Sequence, residues 1–77
     1  MVQASEILEI IREAVVAGEI DKIGLTTQFK DAGIDSLDMM NVFLSVEERY
    51  GVKIPDEKVG ELQDIQAILA YLNSQGL

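Results

Sequence analysis

Apolar residues recur every three or four positions in three separate stretches of this chain, the period of an α-helix with one buried face. The first stretch, Ser5 to Val16, puts Ile7, Leu8, Ile11 and Val15 on one side and Glu6, Glu9, Arg12 and Glu13 mostly elsewhere. Ser5 is a candidate N-cap and Gly18 a candidate stop. The second stretch runs from Ser36 to Tyr50 and ends at Gly51. The last is capped by Asp64, with Ile65, Ile68, Leu69 and Leu72 as its buried stripe. Between them, Pro55 pushes Ile54 out of helical geometry, and Asp56 can cap a short helix ending near Gly60. Val52 and Ile54 alternate as a strand would, but no second segment is available to pair with them. The expected fold is all-α: a small four-helix bundle, three longer helices and one short third helix, with a long first loop from Gly18 to Asp35. Ile20, Ile23, Leu25, Phe29 and Ile34 stud that loop, so it is predicted to pack against the bundle.

At 77 residues the chain has room for one domain, spanning 1–77. Its 48% hydrophobic content is too high for an acidic disordered tail. The 14 acidic residues against 6 basic ones give a net charge of −8, which opposes nucleic acid and anionic membrane surfaces and favours partners with basic patches. The same charge also simply keeps a small protein soluble and monomeric. With no Cys there is no disulfide, thiolate nucleophile or Cys-bound metal, and with no His there is no imidazole base or ligand. Most catalytic constellations are therefore out of reach, and a non-enzymatic role is expected. No apolar run approaches a membrane span and no leader pattern opens the chain, so a cytoplasmic location is the expectation.

The second helix has one apolar face too many. At about 100° per residue, Met39, Val42, Phe43, Val46 and Tyr50 fall on one side and Leu37, Met40 and Leu44 on the other. Asn41 and Glu48 share the second face, and Asp38 and Glu47 flank it. Either the long loop folds over this stripe, or the stripe is a docking face with an apolar centre and an acidic rim.

The loop meets the second helix at Asp31-Ala32-Gly33-Ile34-Asp35-Ser36-Leu37-Asp38. Taken alone, Asp35-Ser36-Leu37-Asp38 is an ordinary helix start, a cap followed by an acid in the first turn. Ser36 has no His to act as its base, and a Ser–Lys pair would need one of only four lysines beside it. A calcium loop starting at Asp31 fails, because its third position is Gly33 and its twelfth is Val42.

The ordered set of these features resembles the acyl carrier protein family. The residues that carry the likeness are Asp35-Ser36-Leu37-Asp38, the preceding Phe29-Lys30-Asp31-Ala32-Gly33-Ile34, the long second helix, Ile54-Pro55-Asp56-Glu57, and the short-then-long helix pair at the end. The tetrapeptide by itself is weak, whereas the whole order within one domain is specific. The resemblance implies that Ser36 carries phosphopantetheine, installed from coenzyme A by a phosphopantetheinyl transferase, and that acyl groups ride on its thiol as thioesters. The helix dipole and free N–H groups at Ser36 suit a phosphate. The partners implied are acyl-chain synthase enzymes with basic docking patches. Asp35, Leu37, Asp38, Met40, Asn41, Leu44, Glu47 and Glu48 would meet them, with Asp56 and Glu57 from the third helix. In this family the acyl chain folds back between helices, and Ile54, Val59 and Leu62 are the candidate lining.

Asn41 stands where the family often has an acid, Arg49 adds a positive charge, and Met39 and Met40 replace stiffer residues. These departures leave open whether the partners are general fatty-acid enzymes or a specialised set. The rival readings are a peptidyl or aminoacyl carrier, which shares the modified Ser, and an interaction module that is never modified.

Overall fold

The structure is a computed structural model and describes residues 1–15 and 23–76. Its helices are α1 (Ala4–Ala14), α2 (Ser36–Tyr50), α3 (Asp56–Val59) and α4 (Ile65–Ser74), with a single 3₁₀ turn at Phe29–Ala32. There is no strand among the described residues, so the expected all-α bundle with a short third helix is what forms.

Helix α1 packs on both α2 and α4. Ile7 and Ile11 of its expected face enter the core beside Val42 and Val46 of α2 and Ile65, Ile68 and Leu72 of α4. They are joined by Ile10, which that face omitted, while Leu8, expected on it, is half-buried at the edge of the core. Burying one such side chain stabilises the fold by roughly 1.5–3 kcal/mol, so this shared seam is the main term holding the helices together. The α1 cap differs from expectation. Gln3, not Ser5, is the N-cap, and the Glu6 carboxylate reaches back to accept the Gln3 N–H at 2.6 Å. The helix also ends earlier, because Val15 turns extended while its N–H still bonds the Ile11 carbonyl, which lets its β-branched side chain bury. Gly18, Val16 and Ile20 lie outside the described residues.

From Ile23 onward the first loop is fastened to the bundle. The Leu25 carbonyl accepts the Gln66 N–H at 3.0 Å, satisfying one of the orphan donors at the start of α4, and the Phe29 N–H donates to the Gln63 carbonyl at 2.9 Å. Ile23, Phe29 and Ile34 are buried as predicted, but Leu25 is not: its backbone makes the tie and its side chain faces out, 49% exposed. The loop also contains the 3₁₀ turn, which the sequence pattern did not announce. Gly33, at φ 81°, closes that turn and redirects the chain into α2.

Helix α2 starts and stops where the sequence placed it. Asp35 caps it by accepting the Asp38 N–H at 2.9 Å, and Gly51 at φ 66° ends it, its N–H bonded to the Glu47 carbonyl. Helix α3 is capped by Pro55 rather than Asp56. Pro55 supplies the extended dihedral, and Asp56 becomes the first helical residue, its carboxylate near the positive end of the helix. Asp64 caps α4 through the Ala67 N–H at 2.8 Å.

Candidate functional site

Ser36 is the first residue of α2 and its side chain is exposed. Its local structure follows from the capping chemistry. Asp35 is extended, so the chain enters the helix at Ser36 with the Ser36 and Leu37 N–H groups lacking intrahelical acceptors. The hydroxyl therefore sits at a positive helix end and open to solvent, where a phosphate ester is favoured by about 0.3–1 kcal/mol.

One open groove starts at Ser36 and a second adjoins the first. The first, about 350 Å³, starts at Ser36 and Asp35 and runs down between the 3₁₀ turn, α2 and α3, with Phe29, Met39, Phe43 and Leu62 on its walls. The second, about 450 Å³, is bounded by Leu44, Glu47, Lys53, Ile54 and Asp56. Met40, Phe43 and Val59 line both, so the grooves meet where α2 faces α3. The three candidate cargo-lining residues are thus divided. Leu62 belongs to the first groove, Ile54 to the second and Val59 to both. Phe29, Met39, Phe43 and Lys30 were missed as groove residues by the periodicity argument. Met39 and Phe43 read there simply as core, and Phe29 and Lys30 come from a loop whose path only the tertiary fold defines.

The second apolar stripe of α2 is bare. Leu37, Met40 and Leu44 are 67%, 59% and 54% exposed, and the described part of the first loop, residues 23–35, leaves them open. The rim is not uniform. Asn41 and Glu48 are exposed, whereas Asp38 and Glu47 are half-buried. Glu47 is committed: its carboxylate accepts the Ile54 N–H at 2.7 Å, holding the α2–α3 connection against α2. The same connection is pinned from α4, where the Tyr71 hydroxyl donates to the Lys53 carbonyl at 3.1 Å. Arg49, the charge that departs from the expected acidic pattern, turns to α1 and pairs with Glu9 at 3.7 Å, so it does not act on the rim as a lone cation. Asp56 and Glu57 are exposed in the first turn of α3.

Tyr50 closes the inner face of α2. Its hydroxyl is buried with no hydrogen-bond partner, and burial pushes its pKa above the ordinary phenol value, with Glu6 and Glu9 adding to the rise and Arg49 opposing it.

An exposed serine hydroxyl at a long helix's N-terminus, between an apolar groove and a bare apolar stripe, is the arrangement of a helical carrier domain. The family model for the phosphopantetheine attachment site matches residues 5–72. The chain is 36% identical over 76 residues to an acyl carrier protein of Thermosynechococcus vestitus, covering 92% of this chain and 93% of that one. It is 33% identical over 69 residues to an acyl carrier protein of Trieres chinensis, covering 88% and 86%. It is 30% identical over 73 residues to an anthracycline acyl carrier protein of Streptomyces peucetius, covering 92% and 87%. This chain belongs to the acyl carrier protein family, whose prosthetic group is phosphopantetheine. No described helix is long and apolar enough to cross a membrane.

Proposed function

We propose that this protein holds acyl intermediates as thioesters on a phosphopantetheine arm esterified to Ser36, and presents them to enzymes of fatty-acid, polyketide or related synthesis. The observation that carries the reading is the exposed Ser36 hydroxyl at the mouth of the first groove and next to Leu37 on the bare stripe. The residues present fit the group. The α2 N-terminus offers unpaired N–H donors for its phosphate, and Phe29, Met39 and Phe43 offer apolar wall for a chain folded back. When bound, the arm supplies the thiol that this Cys-free chain lacks.

The protein's own residues contribute presentation and shielding rather than proton transfer. Leu37, Met40 and Leu44 give a small apolar contact suited to a transient partner, and Asp35, Asp38, Glu48, Asp56 and Glu57 steer that partner by its basic residues. A monomer docking through α2 and α3 would deliver the arm from Ser36 at the edge of the interface. The acidic motif flanking Ser36, together with an anthracycline carrier and plain acyl carriers among the relatives, favours acyl over aminoacyl cargo.

Incubation with coenzyme A, Mg²⁺ and a broad-specificity phosphopantetheinyl transferase, followed by intact-mass spectrometry, tests the assignment. The expected result is one phosphopantetheine of added mass, lost in Ser36→Ala. An unmodified wild-type chain, or a Ser36→Ala variant that still gains mass, overturns it.

A further inference from the structure

In a chain of net charge −8, most described cations are already engaged. Arg49 pairs with Glu9, Lys58 pairs with Glu61 at 3.3 Å, and Arg12 also has a partner. Among the described basic side chains, Lys30 and Lys53 alone have neither an ion pair nor a hydrogen bond. They are not equivalent. Lys30 lines the groove that contains Ser36, whereas Lys53 lines the groove that does not.

Lys30 is also firmly mounted. It follows Phe29, which is buried and donates its N–H to Gln63, while the Phe29 carbonyl accepts the Ile34 N–H at 3.1 Å. On the other side the Lys30 carbonyl accepts the Gly33 N–H at 3.3 Å, so the turn holds the Lys30 backbone and leaves its four-carbon stem the freer part. That stem can lie on apolar groove wall with the ammonium at the rim, the usual compromise for a lysine at such a boundary. The acid that lines the same groove, Asp35, already accepts the Asp38 N–H, and it forms no ion pair with Lys30. A lone cation beside a low-dielectric wall attracts an anion more strongly than one surrounded by water.

We propose that Lys30 is a positioning residue for the prosthetic arm: its ammonium is the counter-charge for the phosphodiester on Ser36 and lays the start of the arm over the mouth of the first groove. This rests on the carrier reading and adds to it the direction the arm takes when no partner is docked. Held there, the arm leads towards Phe29 and Phe43 and away from the Leu37, Met40 and Leu44 stripe, leaving that stripe clear for docking. Lys53 has no such role, because Ser36 does not share its groove.

The test uses the phosphopantetheine-loaded protein as wild type, Lys30→Gln, Lys30→Arg and Lys53→Gln, with loading established by intact mass. Nuclear Overhauser contacts between the Lys30 ε-methylene and the arm's methylene next to phosphorus are expected in the wild type and lost at high NaCl. The phosphorus-31 resonance should move in Lys30→Gln, return towards the wild-type position in Lys30→Arg and stay in place in Lys53→Gln. A loaded wild type with no such contact, and a phosphorus signal indifferent to Lys30→Gln, overturns the inference while leaving the carrier reading standing. A wild type that cannot be loaded overturns both.

Discussion

Glu47 and Glu48 are adjacent acids on α2, and the structure gives them different work. Glu48 is exposed and its side chain makes no hydrogen bond or ion pair, whereas the Glu47 carboxylate accepts the Ile54 N–H at 2.7 Å and anchors the α2–α3 connection. A hydrogen bond to a charged acceptor contributes about 1.5–3 kcal/mol when well shielded. Glu47 is half-buried, so water replaces part of the lost bond, and about 1 kcal/mol is the expected cost of Glu47→Ala. Unfolding entropy for 77 residues is about 0.16 kcal/mol/K. The Tm of Glu47→Ala should therefore fall by about 6 °C. Glu48→Ala, at an exposed position without partners, should stay within about 3 °C of wild type. Circular dichroism melts measure both, and amide exchange localises the effect: Ile54 should exchange faster in Glu47→Ala and unchanged in Glu48→Ala. Glu47→Gln keeps a carbonyl acceptor and should fall between. Equal melting of the two alanine variants, with Ile54 protected alike in both, would refute the claim that Glu47 is a strut as well as a rim charge.

Polar substitution of the whole bare stripe, Leu37→Ser with Met40→Ser and Leu44→Ser, should leave the Tm within a few degrees of wild type because these side chains are already more than half exposed. The same variant should bind synthase partners at least tenfold more weakly by titration calorimetry, and an undiminished affinity would mean that docking occurs elsewhere. Tyr50→Phe removes a buried hydroxyl that has no partner, so it should be neutral or stabilise by up to about 1 kcal/mol at pH 7. The folded state holds the Tyr50 proton more tightly than the unfolded chain does. That contribution is fully present below about pH 10 and is lost as pH rises through the higher folded value. Wild type should accordingly lose stability more steeply than Tyr50→Phe above pH 10 in denaturant titrations, and parallel curves would count against it.

The local chemistry of this protein is readable from its residues. Asp35, Asp64, Gly51 and Pro55 act within a few positions along the chain, so the start and stop of α2, the start of α4 and the break before α3 follow from the sequence. The helical period of α1, α2 and α4 likewise locates their buried faces, because side-chain direction in a helix is a local property, although in α1 it took Leu8 where Ile10 is the buried residue. The order of motifs around Ser36 is what makes it the proposed attachment point. What the period could not say is what covers a second face. Leu37, Met40 and Leu44 are bare because the described part of the first loop, residues 23–35, is tied by Leu25 and Phe29 to the start of α4 rather than drawn across α2. Nor could it separate Glu47 from Glu48, or show Lys30 and Ser36 on one groove, since these depend on bonds and approaches between segments distant along the chain. Local geometry is encoded by neighbours in sequence, whereas a groove exists only once separate helices have packed and left space between them.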